Sequence, residues 1–501
     1  MQKNVLMYVF GERNWMGGIY YVKNLLFQLS ISCEARKKYR YFILANNSVI
    51  SEFLELIDSM NIIVIERDGA LEQLLSVCTE YNIDVVLPIY GEAYTWIIKE
   101  LCLYWIPDFQ EIYFPENFSA KDIEDRKVLR QYIAQEHAGL ILSSEDVYSD
   151  YKKLYPQNVN NTFVVHFVSA IGDMVRQITP GFEKNVMEKY EIRDDYIFIA
   201  NQFWKHKNYI VVLKAMNEII NQKGIKLHLV CTGFMNGRED DYIDGLYQYV
   251  EEHGLKYYIH FCGLVDRKEQ LCLMKNAKLL IQPSKFEGWG CSVEDAKVMG
   301  KEMVLSDIAV HKEQQYPKAI LFPPNDSKAL AMIIIENINK AQKFNFEYGS
   351  QYTVKKAHIY AQELQKAIDS IEVKEKKNYL LELERLRDER IEQLFKGIPL
   401  EQICIYGVGK CTEQMIESCI HVFGNVSFVY SDSDEKKWGM DFKNGKVFPP
   451  SELLNLGIKR IIISSINYQE EIYNIIKKFE KNIEIVKIYN SPKERNEPLW
   501  L

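Results

Sequence analysis

Residues 281–300 read IQPSKFEGWGCSVEDAKVMG, placing an acidic residue, a Gly-X-Gly turn and a second acidic pair in one short stretch. The carboxylates are Glu287, Glu294 and Asp295. A carboxylate accepts hydrogen bonds at both oxygens, which suits sugar or ribose hydroxyls. The amides at a helix start, at the positive end of its dipole, suit a phosphate. A nucleotide sugar carries both groups. A plainer explanation is that acidic residues in the first turn of a helix favour its dipole without binding anything. Spacing alone leaves the two open.

Other stretches bring further chemistry. NQFWKHKNY at 201–209 follows an apolar run, YIFIA at 196–200, and places Lys205, His206 and Lys207 at a strand end. Cations there would neutralise an anionic group such as a diphosphate; a solvated basic loop is the alternative. GERNWMGGIYYVKNLL puts Gly17 and Gly18 where a helix begins, either for close approach of backbone to ligand or as ordinary loop punctuation. YWIPDFQEIYFPENFS at 104–119 offers Asp108 behind Pro107, as a contact or as a turn. His166 in VVHFVS is expected to be a satisfied core histidine. IYGVGKCTEQ at 405–414 holds Gly407 and Gly409 after a predicted strand, with Asp432 after the next, but Thr412 stands where a dinucleotide fingerprint needs its third glycine. Nucleotide binding and a scaffold role both remain for that segment.

The elements that must position these residues alternate in the manner of open parallel sheets flanked by helices. Residues 1–172 carry NVLMYVF, YRYFILA, NIIVIE, DVVLPIY, GLILSS and FVVHFVS; residues 173–368 carry YIFIA, KLHLVCTG, YIHFCG, KLLIQPS, EMVLSD and AILFPP. Two doubly wound units in tandem predict a cleft at the carboxyl ends of their strands. Residues 369–399 include KEKKNYLLELERLRDERIEQLF, which predicts an exposed or partner-packing helix, with a short coiled coil as an alternative. Residues 400–495 predict a separate small Rossmann-like domain.

With 501 residues the chain is long enough for about three domains. Hydrophobic residues at 47% and charged residues at 26% describe a globular chain. A net charge of -8 argues against nucleic-acid binding through bulk charge, while a local basic face for lipid headgroups stays open. The first apolar run, about seven residues, is short for a signal sequence, and no run approaches the roughly 20 residues of a spanning helix. Ten cysteines without a CxxC are expected to be free thiols in a reducing cytoplasm. A composition rich in lysine, isoleucine and asparagine suggests a bacterium with an AT-rich genome.

SKFEGWGCSVEDAKVMGKEMVLSDI resembles the donor-binding signature of retaining GT-B glycosyltransferases of the glycosyl transferases group 1, family 4, type. That family includes sucrose synthase and many bacterial polysaccharide mannosyl- and glucosyltransferases. It carries Glu, seven residues, Glu; Glu287 aligns with the first and Asp295, one methylene shorter, with the second, leaving Glu294 as a substitute. The family's Arg, followed five or six residues later by Lys, is matched by Lys207 but not by Gln202, so Lys205 is the candidate second charge. Many relatives carry a His near the sugar where this chain has Asp108. GLVDRKEQL at 263–271 resembles the loop that holds the nucleotide base, with Val265 the contact.

The resemblance implies an α/β GT-B fold and a metal-independent hexosyltransferase without a cofactor. The donor would be a nucleotide sugar and the acceptor a glycan or lipid-linked hydroxyl in surface polysaccharide synthesis. Its catalytic set is Glu287, Lys207, Lys205 and Asp108. Its donor-binding set is Gly18, Gln202, Val265, Gly288, Trp289, Gly290, Cys291, Ser292 and Asp295. The one DxD-like run, DSD at 432–434, falls in the appended domain. A cytoplasmic location is expected, with peripheral membrane attachment, self-association or a partner on the linker and last domain left open. The departures at 202, 295 and 108 sustain a rival, a non-catalytic GT-B subunit binding an acceptor or a partner glycosyltransferase. A second rival, an NAD-linked enzyme, rests on Gly407 alone.

Overall fold

The computed structural model describes all residues except 1, 11–15, 137, 236–239, 342–343, 376, 467, 480–482, 492–493, 495–496 and 501. The first sheet holds β1 (Lys3–Tyr8), β2 (Tyr39–Ala45), β3 (Ile63–Glu66), β4 (Val85–Ile89), β5 (Cys102–Ile106), β6 (Gly139–Leu142) and β7 (Thr162–Val164). Its order is β3-β2-β1-β4-β5-β6-β7, with all pairs parallel. Strands covered on both faces by helices must be apolar at every position, and β4 and β5 are buried throughout. The alternating runs predicted six of these strands. β5 is the addition: the last three residues of CLYWI overlap the stretch read as a binding segment. It is reached through bends and a 3₁₀ turn at Lys99–Leu101, not through the periodic helix that separates strands in such a unit.

The second sheet is built from β8 (Tyr196–Ala200), β9 (His228–Thr232), β10 (Ile259–Phe261), β11 (Leu279–Gln282), β12 (Met303–Ser306) and β13 (Ala319–Phe322). It runs in the order β10-β9-β8-β11-β12-β13, again parallel. The direction of winding reverses between β8 and β11, so the loops leaving those two strands splay apart and open a crevice. In the first sheet the reversal falls between β1 and β4.

A third sheet contains β14 (Ile403–Tyr406), β15 (Val429–Ser431), β16 (Asp441–Phe442), β17 (Gly445–Phe448), β18 (Arg460–Ile463) and β19 (Glu484–Lys487), in the order β16-β17-β15-β14-β18-β19. The β16–β17 pair is an antiparallel hairpin that the sequence pattern did not suggest.

Two helices tie the units together. The helix Phe346–Ser370 leaves the second unit and buries Ala357, Tyr360, Leu364, Ala367 and Ile368 in the core of the first. The helix Tyr379–Phe395, expected to be exposed or partner-packing, leaves Leu381 exposed but buries five other apolar positions inside this chain. Tyr379 and Leu383 enter the first core, while Ile391, Leu394 and Phe395 enter the third. Its leucine spacing serves two packing faces in series, which is why no heptad is sustained.

Candidate functional site

The loops after β8 and β11 flank the reversal of the second sheet and carry the central ion pair. Lys207 Nζ donates to Glu287 Oε1 at 2.6 Å, and Gln282 Nε2 donates to the same oxygen at 2.7 Å. Gln282 is in turn held by Asn201 Nδ2 at 2.9 Å and Ser292 Oγ at 3.2 Å. Burial by itself would raise the Glu287 carboxyl; Lys207 outweighs it and holds the group down at about 2. Glu287, 8% exposed, is therefore an anion with a fixed orientation.

Gly290 caps the helix Cys291–Val298 at φ +93° and makes no side-chain cap hydrogen bond. The helix start lies beside Glu287 through Gln282, which accepts from Ser292 Oγ and donates to the Glu287 carboxylate. Glu294 turns away: its carboxylate accepts from Lys297 Nζ at 2.6 Å and Gln314 Nε2 at 3.2 Å, with Lys297 lying over the Trp289 ring. Asp295, only 2% exposed, accepts from Ser169 Oγ at 2.6 Å and Arg267 Nη2 at 2.7 Å. Lys205 and Gln202 are exposed, Val265 is half-buried, and Gly18 is buried within the helix Met16–Ile31. The GERNW part of the first glycine loop lies outside the described residues.

The first unit forms the facing wall. A Cβ built on Gly288 would lie 2.3 Å from the Pro107 carbonyl oxygen and 3.4 Å from Asp108 Cβ, so only glycine permits this approach. Asp108 thus stands next to the Glu287 loop, with its carboxylate accepting from Gln110 N at 3.1 Å. Trp289 Nε1 donates to Phe167 O at 2.9 Å, and the Phe286 and Tyr113 rings lie tilted to each other with centroids 5.3 Å apart.

Two histidines span the units. Gln110 Nε2 donates to His206 Nδ1 at 3.0 Å, and burial together with neighbouring Lys207 pushes His206 down to about 3, leaving it neutral. His166, expected in the core, is instead an interface residue: Nε2 meets Glu313 Oε1 at 2.7 Å and Nδ1 meets Glu363 Oε2 at 2.9 Å. Burial opposes its charge, but the two carboxylates prevail and raise it to about 9. Glu313 Oε1 also accepts from Glu145 N at 2.7 Å, at the start of the helix Glu145–Leu154. The interface roles of His206, His166, Glu313 and Arg267 had no local sequence signal, because each depends on a partner more than 25 positions away in the chain. Only the charge of Arg267, within GLVDRKEQL, was in view.

Against this geometry stand the comparisons with known proteins. Residues 183–347 match the family model Glycosyl transferases group 1. A stretch of 154 residues is 25% identical to the O-antigen chain mannosyltransferase B of Escherichia coli and covers 30% of this chain and 39% of that protein. A glycosyltransferase from Rickettsia africae aligns structurally with a TM-score of 0.51 at 14% identity, over 79% of this chain and 100% of that one. Anabaena HepE, solved with UDP and glucose, aligns with a TM-score of 0.52 at 15% identity, over 74% and 100%. The fold is GT-B, with a third α/β unit appended, and the second unit carries a glycosyltransferase group 1 domain that includes Lys207, Val265, Glu287 and Asp295.

Proposed function

We propose that this chain is a retaining, metal-independent glycosyltransferase that moves a hexose from a nucleoside diphosphate to a glycan or lipid-linked acceptor of a surface polysaccharide. The observation that carries it is the Lys207–Glu287 pair at the reversal of a glycosyltransferase group 1 sheet, opposed by the Pro107–Asp108 wall. Glu287, pre-oriented and ionised, accepts hydrogen bonds from the sugar hydroxyls. Lys207, Lys205 and the amides from Gly290 to Ser292 offset the charge that grows on the leaving diphosphate, as a metal ion would. The acceptor oxygen attacks C1 from the face the phosphate leaves; the C1–O bond to phosphate breaks, and the acceptor proton passes to that phosphate. Asp108 faces the sugar or acceptor from the other wall. Relatives that build O-antigen or bind UDP and glucose lend the reading its substrate class.

The closed arrangement leaves beside Asp295 a cavity of about 10 Å³, room for one water. A donor group reaches that cavity when the two units part, and their closing again keeps water from the transferred sugar. On this reading residues 1–172 are the acceptor side, 173–368 the donor side, 369–399 a linker and 400–495 an appended domain. Among the described residues no helix is long and apolar enough to cross a membrane; residence in the cytoplasm with peripheral attachment is part of the proposal.

The test is a panel of nucleotide sugars and lipid-linked acceptors with products read by mass spectrometry. Transfer or slow donor hydrolysis is expected, and the absence of both would sink the enzyme reading. A binding-only subunit is the second reading, favoured by Gln202 and by the full engagement of Asp295. Calorimetry that finds no affinity for any nucleoside diphosphate would select it.

A further inference from the structure

One departure from the resembled pattern, Asp295, is bonded to a residue that neither motif contains. Arg267 opens the helix Arg267–Asn276 and leans into the small cavity between the units. The cavity is lined from the first unit by Tyr20, Lys23 and Asn24 and from the second by Arg267, Cys291 and Asp295. Arg267 Nη2 is held by Asp295, Nη1 donates to Gln270 Oε1 at 2.7 Å, and the guanidinium lies 4.8 Å from the centre of the Tyr20 ring. Its Nε is buried and, among the described residues, has no hydrogen-bond partner. A buried N–H of a cation without an acceptor is costly, and an anionic oxygen is the partner that suits it best. Across the cavity Lys23 pairs at a distance with Glu52, 3.9 Å away. Two cations, Arg267 and Lys23, thus line one cavity with the Asp295 carboxylate, and Glu52 stands beyond Lys23.

We infer that Arg267, with Lys23 opposite, holds the donor's diphosphate in place of the arginine missing at position 202. Asp295 is then a positioning residue. A glutamate would reach one methylene further; the shorter side chain is drawn back onto Ser169 and Arg267 and fixes the guanidinium beside the cavity. The charge has moved from the end of one strand to the start of a neighbouring helix, and the shortening at 295 accompanies that move. The inference rests on the proposed donor class.

Titration calorimetry with UDP, GDP, ADP and CDP, and with the nucleoside of whichever binds, tests it. Wild type should bind at least one diphosphate; Arg267→Ala should weaken it about tenfold or more while changing nucleoside binding little. Asp295→Asn should give a smaller loss of the same selectivity, and Gln202→Arg should recover part of the loss in the Arg267→Ala chain. Should Arg267→Ala fail to fold by circular dichroism, Arg267→Lys and Lys23→Met are read instead, with the same selective loss expected. Unchanged diphosphate affinity, or an equal loss for diphosphate and nucleoside, overturns the assignment of Arg267 and leaves the donor class standing. Wild type that binds none of the four overturns both.

Discussion

The loop leaving β11 and the loop leaving β14 are built alike. Each passes from a buried parallel strand through Gly-X-Gly into a helix, with a positive φ at one glycine, +93° at Gly290 and +95° at Gly407. Each has a buried carboxylate at hand. The carboxylates are spent differently. Glu287 reaches a lysine on the neighbouring strand's loop and faces a second wall. Asp432 turns back on its own unit, accepting from Val408 N, Asp434 N and Lys437 Nζ, each at 2.9 Å. Thr412 and Ser464 bond to each other and to the Gly407 carbonyl, closing what remains. A glycine turn beside an acid becomes a site only where another element brings an opposing charge and a facing surface. The scaffold reading of the third unit draws its support from that contrast.

The largest effect should come from separating Glu287 from its cation. Lys207→Ala is expected to lower transfer by about 10² to 10³-fold, the scale for losing a group that stabilises developing charge. It also leaves a buried anion unpaired, at a cost of about 3–5 kcal/mol in denaturant unfolding. Adding Glu287→Gln should recover most of the stability and none of the rate. A double variant that regains activity would show that the pair is structural, and the two loops would then be alike.

Gly288→Ala comes next. The added Cβ would meet the Pro107 carbonyl at 2.3 Å, a backbone atom with little room to yield. The units are expected to stay apart, with a loss of transfer at least tenfold (~1.4 kcal/mol) and a larger radius in small-angle scattering. Normal activity and an unchanged radius would mean that this contact is not part of the working cleft.

These two predictions also mark how far the sequence carried. The order of apolar runs was enough for two doubly wound sheets and a third unit, because strands buried on both faces must read as continuous apolar segments. Glu287 and Lys207 were legible because each directly follows such a run. β5 was not, since no periodic helix announces it, and neither were the histidines. His166 resembles a core residue until the helix Phe346–Ser370 brings Glu363 to it from 197 positions away. Asp295 was legible as a motif position, but its partner Arg267 was not, because a side chain one methylene shorter changes where a charge is used, and spacing does not record that.

The loops should also separate by pH. His166 packs against Trp289 at 4.6 Å and clamps the β11 loop; its folded pKa of about 9 lies above the ordinary 6.5. Its stabilisation is complete below pH 6.5 and is lost as pH rises through about 9. The melting temperature of wild type should therefore fall toward that of His166→Gln by a few degrees over this window. Asp432 has the opposite sign. Burial would raise its carboxyl, but the amides of Val408 and Asp434 and the Lys437 ammonium hold it below its ordinary 3.8. Its contribution is present above that value and lost only as pH falls through the depressed one. A gap between wild type and His166→Gln that stays constant from pH 6.5 to 9 would remove the clamp.

The smallest effects belong to the third unit. Asp432→Asn replaces a charged acceptor by a neutral one and gives Lys437 a weaker partner, so a loss of about 1 kcal/mol confined to that unit is expected. Gly409→Ala places its Cβ where no atom lies within 4 Å, at an extended backbone any residue adopts, and should stay within about 0.5 kcal/mol of wild type. Neither should alter transfer between donor and acceptor. If Asp432→Asn left stability untouched but slowed transfer, the appended unit would be acting on the reaction through a ligand of its own, and its self-satisfied loop would have to open to hold it.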